Sequence, residues 1–565
     1  MRWLACVLAI ATLAAACGGD DGDDGTDEAG GGGGDVEQTT TTTEAVGEPV
    51  TGGAITVGLE AETPGWLPGQ VTFATGGTNV ALAIYDPLMD RGEDGEMHPY
   101  LAESLTPNED LTEYTLKLRE GVTFHDGTAL TADVIKTIFD EYLKVPGATT
   151  AGSLSNVTEV RVVDPLTAVY VLATGSAAFP DLLQGQIGWP FSVEAARAAG
   201  EAAAAQPVGT GPFVFESWQR DNALVVTKNP NYWREGIPYL DQITFRPIPD
   251  EDTRVQSLLS GDLQAMQSLR GSAIKQVLEA EEAGGITAYQ YTGNTSGASI
   301  MNVLVPPLDD VRIRKAFAHS SNSEAVAEVL GDDGLVEPTT QYFSADSPWY
   351  SQKVADAYPE YDIEAGSALV EEYKEDPDRS DGKSPGDPVT IEYNCLPDPS
   401  LLEVAQLVQA QLQLVGIDAT LNSVEQAAHV QNAVGATSDP PFSGDYMINC
   451  WRIGSQSDPA TTYSLDFGDP ETSAGNVTNF SDPRLTELML ELQTTAEFEE
   501  RYAINEEIGI LINENVPISF GVGTATVIGT SDKVKNVAGY TFPDGTVGEG
   551  TPNAEVVWRE VWIEE

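Results

Sequence analysis

The sequence holds few residues at spacings that could do chemistry. Its histidines stand far apart, and none pairs with another in the HExxH pattern that binds zinc: they are His98, His125, His319 and His429. The glycine-rich stretch at 209–213 lacks the Lys-Ser or Lys-Thr ending of a phosphate-binding loop, and no Gly-x-Ser-x-Gly elbow occurs. We therefore expect no catalytic residues, no metal site, no cofactor and no enzyme activity.

The net charge excludes further classes of function, and the length indicates how many domains to expect. The chain has 565 residues, with 88 Asp and Glu against 28 Lys and Arg, which gives a net charge of −60. Such a surface repels nucleic-acid phosphates and anionic lipid headgroups, so nucleic-acid binding and a basic membrane-contact patch are poor hypotheses. The length exceeds what one hydrophobic core supports, and we expect two or more domains.

The N-terminus has the features of an export signal. Residues 1–17 combine an early arginine, a short apolar run and small residues before Cys17. The last five of these residues resemble the bacterial lipobox, in which the signal is cut before the cysteine and the thiol receives a lipid; an ordinary secretory signal is the alternative. Residues 18–50 are rich in Gly, Asp and Thr, which predicts a disordered acidic tether. We expect a lipid-anchored protein on the outer side of the plasma membrane or in the periplasm.

Hydrophobic periodicity predicts a mixed α/β body. Apolar and polar residues alternate at 55–59 and 114–118, as half-buried strands require. Thr131 is predicted to cap a helix whose apolar residues recur every three or four positions as far as Tyr142. Strands and helices then alternate along much of the remaining chain, which indicates βαβ connections.

The clearest βαβ unit lies in the second half of the chain. A strand at 389–395 precedes a helix with Ser400 and Glu403 as a capping box, and another strand starts at Ile417. The two strands are expected to be parallel. Their carboxyl ends are also the edge at which open α/β sheets bind ligands.

Two cysteines remain for the folded body. Cys6 leaves with the signal and Cys17 is predicted to be lipidated, which leaves Cys395 and Cys450. Export places this even pair in an oxidising compartment, which favours a disulfide. If the strand ending at Cys395 neighbours the one predicted at 446–450, both cysteines stand where a bridge can close.

Several sequence motifs occur in a fixed order in the part of the chain after the predicted tether. Among them are GGAITVG, IYDPLM, PYLAESL, YTLKLREGVTFHDGTALTADV, PVGTGPFVF, NPNYWREGIPYLDQITFRPIPD, LLSGDLQ, PPLDDVRIRKAFAHS and NFSDPRL. Together they resemble the family 5 extracellular solute-binding proteins, the dipeptide, oligopeptide and nickel group of ABC importers. The resemblance covers about 51–565, and the long YTLKLREGVTFHDG run is its most specific part.

The resemblance implies a periplasmic-binding-protein type II fold, in which two lobes close on a solute like a clamshell. Lobe one carries an extra subdomain. The implied boundaries are 51–296 plus 521–565 for lobe one, about 93–205 for its subdomain, and 297–520 for lobe two. The chain is expected to cross between the lobes near 296–302 and near 518–524, where glycines supply backbone freedom.

The resemblance also points to ligand-binding residues. Peptide-binding members carry Trp-x-x-Asp after a strand, and the aspartate pairs with the peptide's α-amino group. Here Trp451 and Asp458 with its following proline are kept, but Gly454 and Ser455 stand at the anchor position. A buried ammonium without a carboxylate is costly, which argues against a free peptide N-terminus unless Asp458 or another acid moves in. Arg452 either favours an acidic solute or is a solvated charge at the strand end.

Two further candidates follow from the same resemblance. Asn302 matches the family's asparagine on the crossing strand, where its amide serves a ligand's backbone-like groups; plain hydrogen bonding at the hinge is the alternative. Trp66 stands near the family's Leu-Asp-Pro turn, where an exposed ring can stack on a solute. Its alternative is a wedge under the loop.

The expected function is an importer receptor for an oligopeptide or similar polar solute. Its partners would be that solute, an ABC permease with its ATPase subunits, and the membrane through the Cys17 lipid, and the protein is expected to be a monomer. The alternatives are a ligand sensor for a chemoreceptor or kinase, and a receptor for a non-peptide solute such as a sugar or metal chelate. A secreted hydrolase would need a nucleophile that the sequence does not offer.

Overall fold

The structure, a computed structural model, describes residues 47–564 with internal gaps. The gaps are 72, 144–153, 155, 331–333, 336–337, 346, 398, 436–437, 439–442, 455–457 and 470–474. The predicted signal, Cys17 and nearly all of the predicted tether lie outside the described residues. Within the described part, no helix has the length and apolar content needed to cross a membrane.

Strands and helices alternate along the chain. The strands are β1 (Ala54–Leu59), β2 (Met89–Arg91), β3 (Met97–Pro99), β4 (Ala102–Pro107), β5 (Glu113–Leu118), β6 (Val157–Asp164), β7 (Thr167–Leu172), β8 (Phe213–Gln219), β9 (Ala223–Lys228), β10 (Gln242–Pro247), β11 (Ala265–Ser268), β12 (Ile286–Met301), β13 (Val389–Cys395), β14 (Ile417–Ser423), β15 (Ile448–Gly454), β16 (Ile518–Ser531), β17 (Val534–Lys535) and β18 (Trp562–Ile563). The α-helices are α1 (Thr75–Ile84), α2 (Ala132–Tyr142), α3 (Val193–Ala199), α4 (Glu251–Leu259), α5 (Gly271–Ala283), α6 (Val311–Ser320), α7 (Ser323–Leu330), α8 (Gln352–Ala357), α9 (Ile363–Glu375), α10 (Pro399–Leu414), α11 (Gln426–Val434), α12 (Pro459–Asp466), α13 (Pro483–Thr494) and α14 (Phe498–Asn515).

One ten-stranded sheet connects most of these elements, in the order β14-β13-β15-β12-β16-β11-β1-β10-β9-β8. The long antiparallel strands β12 and β16 lie in its middle. On one side β1 is parallel to β10 and β11, and on the other β13 is parallel to β14 and β15. We call the part built on β1 and β8–β11 the first lobe, and the part built on β13–β15 the second lobe.

The pairing of β12 with β16 is irregular where the two lobes meet. Its register shifts between Thr292 and Ala298. A Cβ on Gly521 would lie 2.8 Å from the carbonyl oxygen of Gly297, so the two strands approach more closely there than a side chain permits. Both segments predicted to cross between the lobes lie on these strands, and their role as a hinge stays a prediction.

A separate four-stranded antiparallel sheet, β4-β5-β7-β6, stands apart from the main sheet. Helix α2 packs against β6 and β7. The side chain of Thr131 accepts a hydrogen bond from the Val134 amide and so caps α2, as its sequence predicted. This small sheet lies within the segment predicted as an extra subdomain, whose exact boundaries stay a prediction.

The predicted βαβ unit consists of β13, α10 and β14. Strand β13 is parallel to β14, which confirms the predicted parallel pair, and it lies between β14 and β15, which fulfils the condition stated for the disulfide. The predicted capping box is wrong, because α10 begins at Pro399 and Ser400 therefore lies inside its first turn. A proline suits the first position of a helix because its fixed φ is helical and no hydrogen bond from that nitrogen is needed.

Candidate ligand-binding region between the lobes

The parallel strands of both lobes end beside the same stretch of β12. In the first lobe β11 ends at Ser268, which pairs with Val527 of β16, and Val527 in turn pairs with Gln290 of β12. In the second lobe β15 ends at Gly454, which pairs with Thr295 of β12. Because β11 and β15 run in opposite directions, their carboxyl ends face each other across the middle of β12. Carboxyl ends of parallel strands are where α/β sheets bind ligands, so we take this region as the candidate site.

Trp451 lies on β15, close to that end. Its half-buried ring stacks on His429, with ring centroids 5.5 Å apart and planes inclined by 29°. Nε2 of His429 lies 2.9 Å from the Cys450 carbonyl oxygen and therefore carries the proton that it donates. Burial lowers the pKa of His429, so the imidazole is neutral at pH 7. The histidine holds one face of the Trp451 ring in place.

Arg452 is exposed on β15, opposite Gly297 of β12. Its charge acts on Glu60, which immediately follows β1 in the first lobe. Burial raises the pKa of Glu60, and Arg254 and Arg452 act in the opposite direction. A cation of the second lobe and a carboxylate of the first are therefore close enough to interact across the candidate site.

Asp458 has a structural role in this conformation. Only 6% of the residue is exposed, and its carboxylate accepts a hydrogen bond from the Ala460 amide at 2.8 Å, which caps α12. Both carboxylate oxygens also lie 2.7 Å from Nη2 of Arg501. The carboxylate thus faces a protein cation rather than an open space. A direct role in ligand binding stays a prediction and requires Asp458 to exchange partners.

Asn302 is fully buried and follows β12. Its amide nitrogen donates to the carbonyl oxygens of Ser443, at 2.8 Å, and Tyr446, at 3.3 Å. Its amide oxygen accepts from the Leu304 amide and from Nδ2 of Asn479, both at 3.2 Å. The side chain therefore uses all of its hydrogen-bonding capacity within the second lobe, and its roles in ligand binding and at the hinge stay predictions.

Trp66 is buried in the structure, which excludes one of its two expected positions. The sequence left open an exposed ring that stacks on a solute or a wedge under the loop; Trp66 is 2% exposed and belongs to the first lobe's core. Its ring stacks on Phe73 and meets Trp218 edge to face, with centroids 6.5 Å and 5.4 Å away. Packing between aromatic neighbours buries more apolar surface than an exposed position at the turn. In this conformation Trp66 is the wedge under the loop and presents no open face to a solute.

Cys395 and Cys450 form a disulfide, with Cα atoms 5.1 Å apart. Parallel pairing of β13 with β15 aligns Asn394 with Asn449, so the two cysteines come one step later at the same level. The bridge ties β13 to the strand that carries Trp451 and Arg452. It therefore fixes the second lobe's side of the candidate site.

The segment that follows β7 of the small sheet reaches across to the second lobe. The amide of Ala177 donates a hydrogen bond of 2.8 Å to the carbonyl oxygen of Gln493, and Ala178 packs in the second lobe's apolar core. Burial raises the pKa of the nearby Asp181, its partner Arg91 opposes that rise, and the charge of Asp458 adds to it. The lobes are therefore in contact at this edge.

Sequence reasoning missed the polar groups on the first lobe's side of the region. Helix α1 begins after Ala74 without a side-chain cap, and the buried amide of Gln267 on β11 has no partner among the described residues. The only sequence signal was a Gly-Gly pair at 76–77 without a preceding Ser, Asp or Asn at the cap position. No motif marks either feature.

Other possible sites are less informative. In the described part of the chain, no group of three or more His, Cys, Asp or Glu residues is placed to hold a metal ion. A small apolar pocket lies between α2 and its neighbours, lined in part by Ile135 and Tyr170. A second pocket, of about 260 Å³, lies beside Pro306 and Lys383 on the second lobe. Neither pocket adjoins the strand ends that face each other.

Comparison with known proteins gives the family. The profile of the bacterial extracellular solute-binding proteins, family 5 (middle part), matches residues 96–474, more than half of the chain. The glutathione-binding protein GsiB of Salmonella paratyphi A is 27% identical over 368 residues, which are 62% of this chain and 66% of GsiB. The chain thus spans slightly less than two thirds of that relative's length.

Solved structures share the fold. DppA of Helicobacter pylori, in complex with the peptide STSA, has a TM-score of 0.73 at 20% identity, covering 91% of this chain and 99% of DppA. AgaA of A. tumefaciens R10, in complex with agropinic acid, has a TM-score of 0.74 at 23% identity, covering 91% of this chain and 99% of AgaA. These likenesses confirm the predicted α/β, two-lobed periplasmic-binding-protein type II fold. The two bound solutes differ, so the fold alone does not select a ligand.

Proposed function

The chain belongs to the family 5 bacterial extracellular solute-binding proteins, and from that premise we propose that it is the substrate-binding component of an ABC importer. It captures an oligopeptide or a similarly sized polar solute between its lobes and delivers it to a membrane permease that a separate ATPase drives. Lobe two extends over 297–520 and lobe one over the rest of the body, with strands β12 and β16 as the hinge. The lipid on Cys17 and the acidic tether keep this body near the membrane.

One observation carries the proposal: the carboxyl ends of β11 and β15 face each other beside the shared strand β12. A solute held there touches strand ends, loops and helix termini of both lobes at once. Movement at β12 and β16 then changes the distance between these two surfaces, so binding and closure are coupled. The contact of Ala177 with Gln493 is a point at which closure can be sensed outside the site.

The ligand need not present a free α-amino group. Gly454 has no side chain, and Asp458 is already paired with Arg501, so the described residues of this segment offer no uncommitted carboxylate. Ser455, the other residue at the family's anchor position, lies outside the described residues. A glutathione-binding relative and peptide-bound and agropinic-acid-bound structures support a small polar organic solute.

Native mass spectrometry of residues 48–565, which form one compact unit, tests this proposal. We expect protein purified from its own host or from rich medium to carry a discrete added mass, which identifies a peptide, sugar or chelate directly. The control is the same protein unfolded, dialysed and refolded, which should be empty and regain the mass when the extracted solute is returned. An empty spectrum with no thermal shift across peptides, glutathione, sugars and metal chelates contradicts the proposal.

Lipid attachment at Cys17 is tested separately, by cell fractionation. We expect the full chain to fractionate with membranes and the Cys17→Ser variant to be released into the soluble fraction. The matched control is Cys6→Ser, which changes a cysteine inside the predicted signal and should leave the protein with membranes. Release of both variants, or of neither, contradicts lipid attachment at Cys17.

A further inference from the structure

The first turn of α1 is an uncapped helix end at the candidate site. Ala74 stands at the N-cap position with extended backbone angles and no side-chain cap. Among the described residues, no acceptor is found for the amides of Thr75, Gly76 or Gly77. Gly76 and Gly77 are buried, whereas Thr75 is partly exposed, and the unpaired amides of the two buried glycines call for a partner. The helix dipole makes that partner an anion.

Gln267 is the second, independent feature. The residue is fully buried on β11, and neither its amide oxygen nor its amide nitrogen has a hydrogen-bond partner among the described residues. Its Oε1 lies 3.7 Å from the position that a Cβ on Gly76 would occupy, so the amide is aimed at the first turn of α1. Rotation of the amide by 180° places its N–H groups on the same side. A donor is thus held beside Gly76, in the first turn of α1.

The charged side chains nearest this helix end include cations from both lobes. The Glu251 carboxylate is already occupied, because Nη2 of Arg254 lies 3.0 Å from its Oε2. Arg270 follows β11 and is exposed, and its charge reaches Glu60, as does that of Arg452 from the second lobe. The guanidinium groups of Arg270 and Arg452 thus place positive charge near Glu60, whose neighbour Ala61 lies beside the first turn of α1.

The position agrees with a role in solute binding. Residues 60 and 61 follow β1 directly, and the carbonyl oxygen of Ala61 lies 2.9 Å from where a Cβ on Gly76 would stand. The first turn of α1 is therefore held against the carboxyl ends of β1 and β11, which face the end of β15. Ala74 and Ala61 are both exposed, which leaves the turn accessible from the side of the second lobe.

We propose that the first turn of α1, the Gln267 amide and Arg270 bind a carboxylate group of the solute, and that Arg452 closes over it from the second lobe. The inference rests on the proposed function and names the chemical class of its ligand: a solute that carries at least one free carboxylate. The backbone amides and Gln267 donate hydrogen bonds to the carboxylate oxygens, and the two arginines supply charge. The anchor of the solute is then its acid group, held by the first lobe, instead of an amine held by the second.

Substitutions at Ala74 test this site without removing any of its groups. Ala74 is exposed and its backbone suits a capping side chain, so Ala74→Asp and Ala74→Asn should both raise the melting temperature of solute-free protein. Ala74→Asp also places a negative charge where the carboxylate would bind. We expect it to lower affinity for the co-purified solute at least tenfold, about the value of one hydrogen bond to a charged group, and Ala74→Asn to lower it less.

Titration calorimetry on residues 48–565 then compares ligand pairs. Trialanine is measured as free acid and as C-terminal amide, and glutathione as free acid, beside the solute extracted from the wild-type protein. The inference is supported if the solute has a carboxylate and Ala74→Asp weakens its binding more than Ala74→Asn does. It is overturned if a solute binds wild-type and Ala74→Asp protein equally, which leaves the proposed function intact. If no solute of any class binds the wild-type protein, the proposed function fails and the inference fails with it.

Discussion

Asp458 and Gln267 are polar side chains with little exposure, one on each side of the region where the strand ends meet. Asp458 pairs with Arg501 and caps α12, whereas both amide atoms of Gln267 lack a partner among the described residues. An unpaired buried amide destabilises a protein by about 1–3 kcal/mol unless a water molecule or a ligand pairs with it. The motif residue is thus part of the fold's own bonding, whereas our proposal assigns the residue outside every motif to the solute.

The largest effect is expected at Asp458. Replacing it by asparagine leaves Arg501 buried without a counter-charge, which should lower the free energy of unfolding by about 3–5 kcal/mol. Urea unfolding of residues 48–565 measures this. The control is Glu507→Gln, which breaks the exposed pair with Arg484 and should change stability by about 0.5 kcal/mol or less. If Asp458→Asn keeps its stability but loses the solute, Asp458 is a ligand and the comparison is wrong.

A smaller effect concerns Asp466, at the other end of α12. Burial raises the pKa of Asp466 to about 7, from an ordinary value of 3.8. The folded state therefore keeps a proton that the unfolded chain has lost, so this group's contribution to stability is complete below pH 4 and disappears as the pH rises through 7. We expect the melting temperature to fall between pH 5 and pH 8.

The Asp466→Asn variant should reduce that slope, because asparagine does not titrate. Burial also raises the pKa of Asp86, to about 6, and that of Glu555, to about 8, so part of the slope should remain. Asp482→Asn, at the half-buried N-cap of α13, is the control for replacing a carboxylate by an amide at a helix cap. An equal slope in wild-type and Asp466→Asn protein contradicts this account of the buried carboxyl group.

The smallest effect on stability is expected at Gln267. Methionine has similar volume and no unpaired polar atoms, so Gln267→Met should change the free energy of unfolding by about 1 kcal/mol at most, or raise it. Its affinity for the solute should nevertheless fall about tenfold. The matched control is Gln264→Met, because Gln264 accepts a hydrogen bond from the Thr56 amide and its loss should lower stability without changing affinity. If instead Gln264→Met lowers affinity and Gln267→Met lowers only stability, the residue that contacts the solute is Gln264 and our assignment is wrong.

The fold could largely be predicted because local patterns and ordered phrases agree with its packing. The βαβ unit of β13, α10 and β14 and the cap at Thr131 follow from periodicity, and the cysteine pair follows from the cysteine count and the export signal. The first residue of α10 could not be predicted in this way. A helix can start with a proline at its first position or with a serine at its cap position, and the sequence offers both.

The site could be predicted only in part. Sequence motifs place Trp451 and Arg452 at the end of a strand. Whether the Asp458 carboxylate is free to bind a ligand depends on Arg501, which lies 43 residues further along the chain. Trp66 is buried by Trp218, from a distant strand, which a local phrase does not encode. The lack of a partner for Gln267 is likewise a property of the assembled lobe, since a sequence records which groups exist but not which of them meet.

Hydrogen–deuterium exchange of residues 48–565, with and without the co-purified solute, tests the central claim most directly. Peptic fragments over 74–78 and over 449–460 report the two sides of the region separately. If the solute's acid group is anchored on the first lobe, the amides of the first turn of α1 should exchange rapidly in the empty protein and become the most strongly protected on binding. Protection confined to 449–460, with none in α1, would contradict the account and return the anchor to the second lobe.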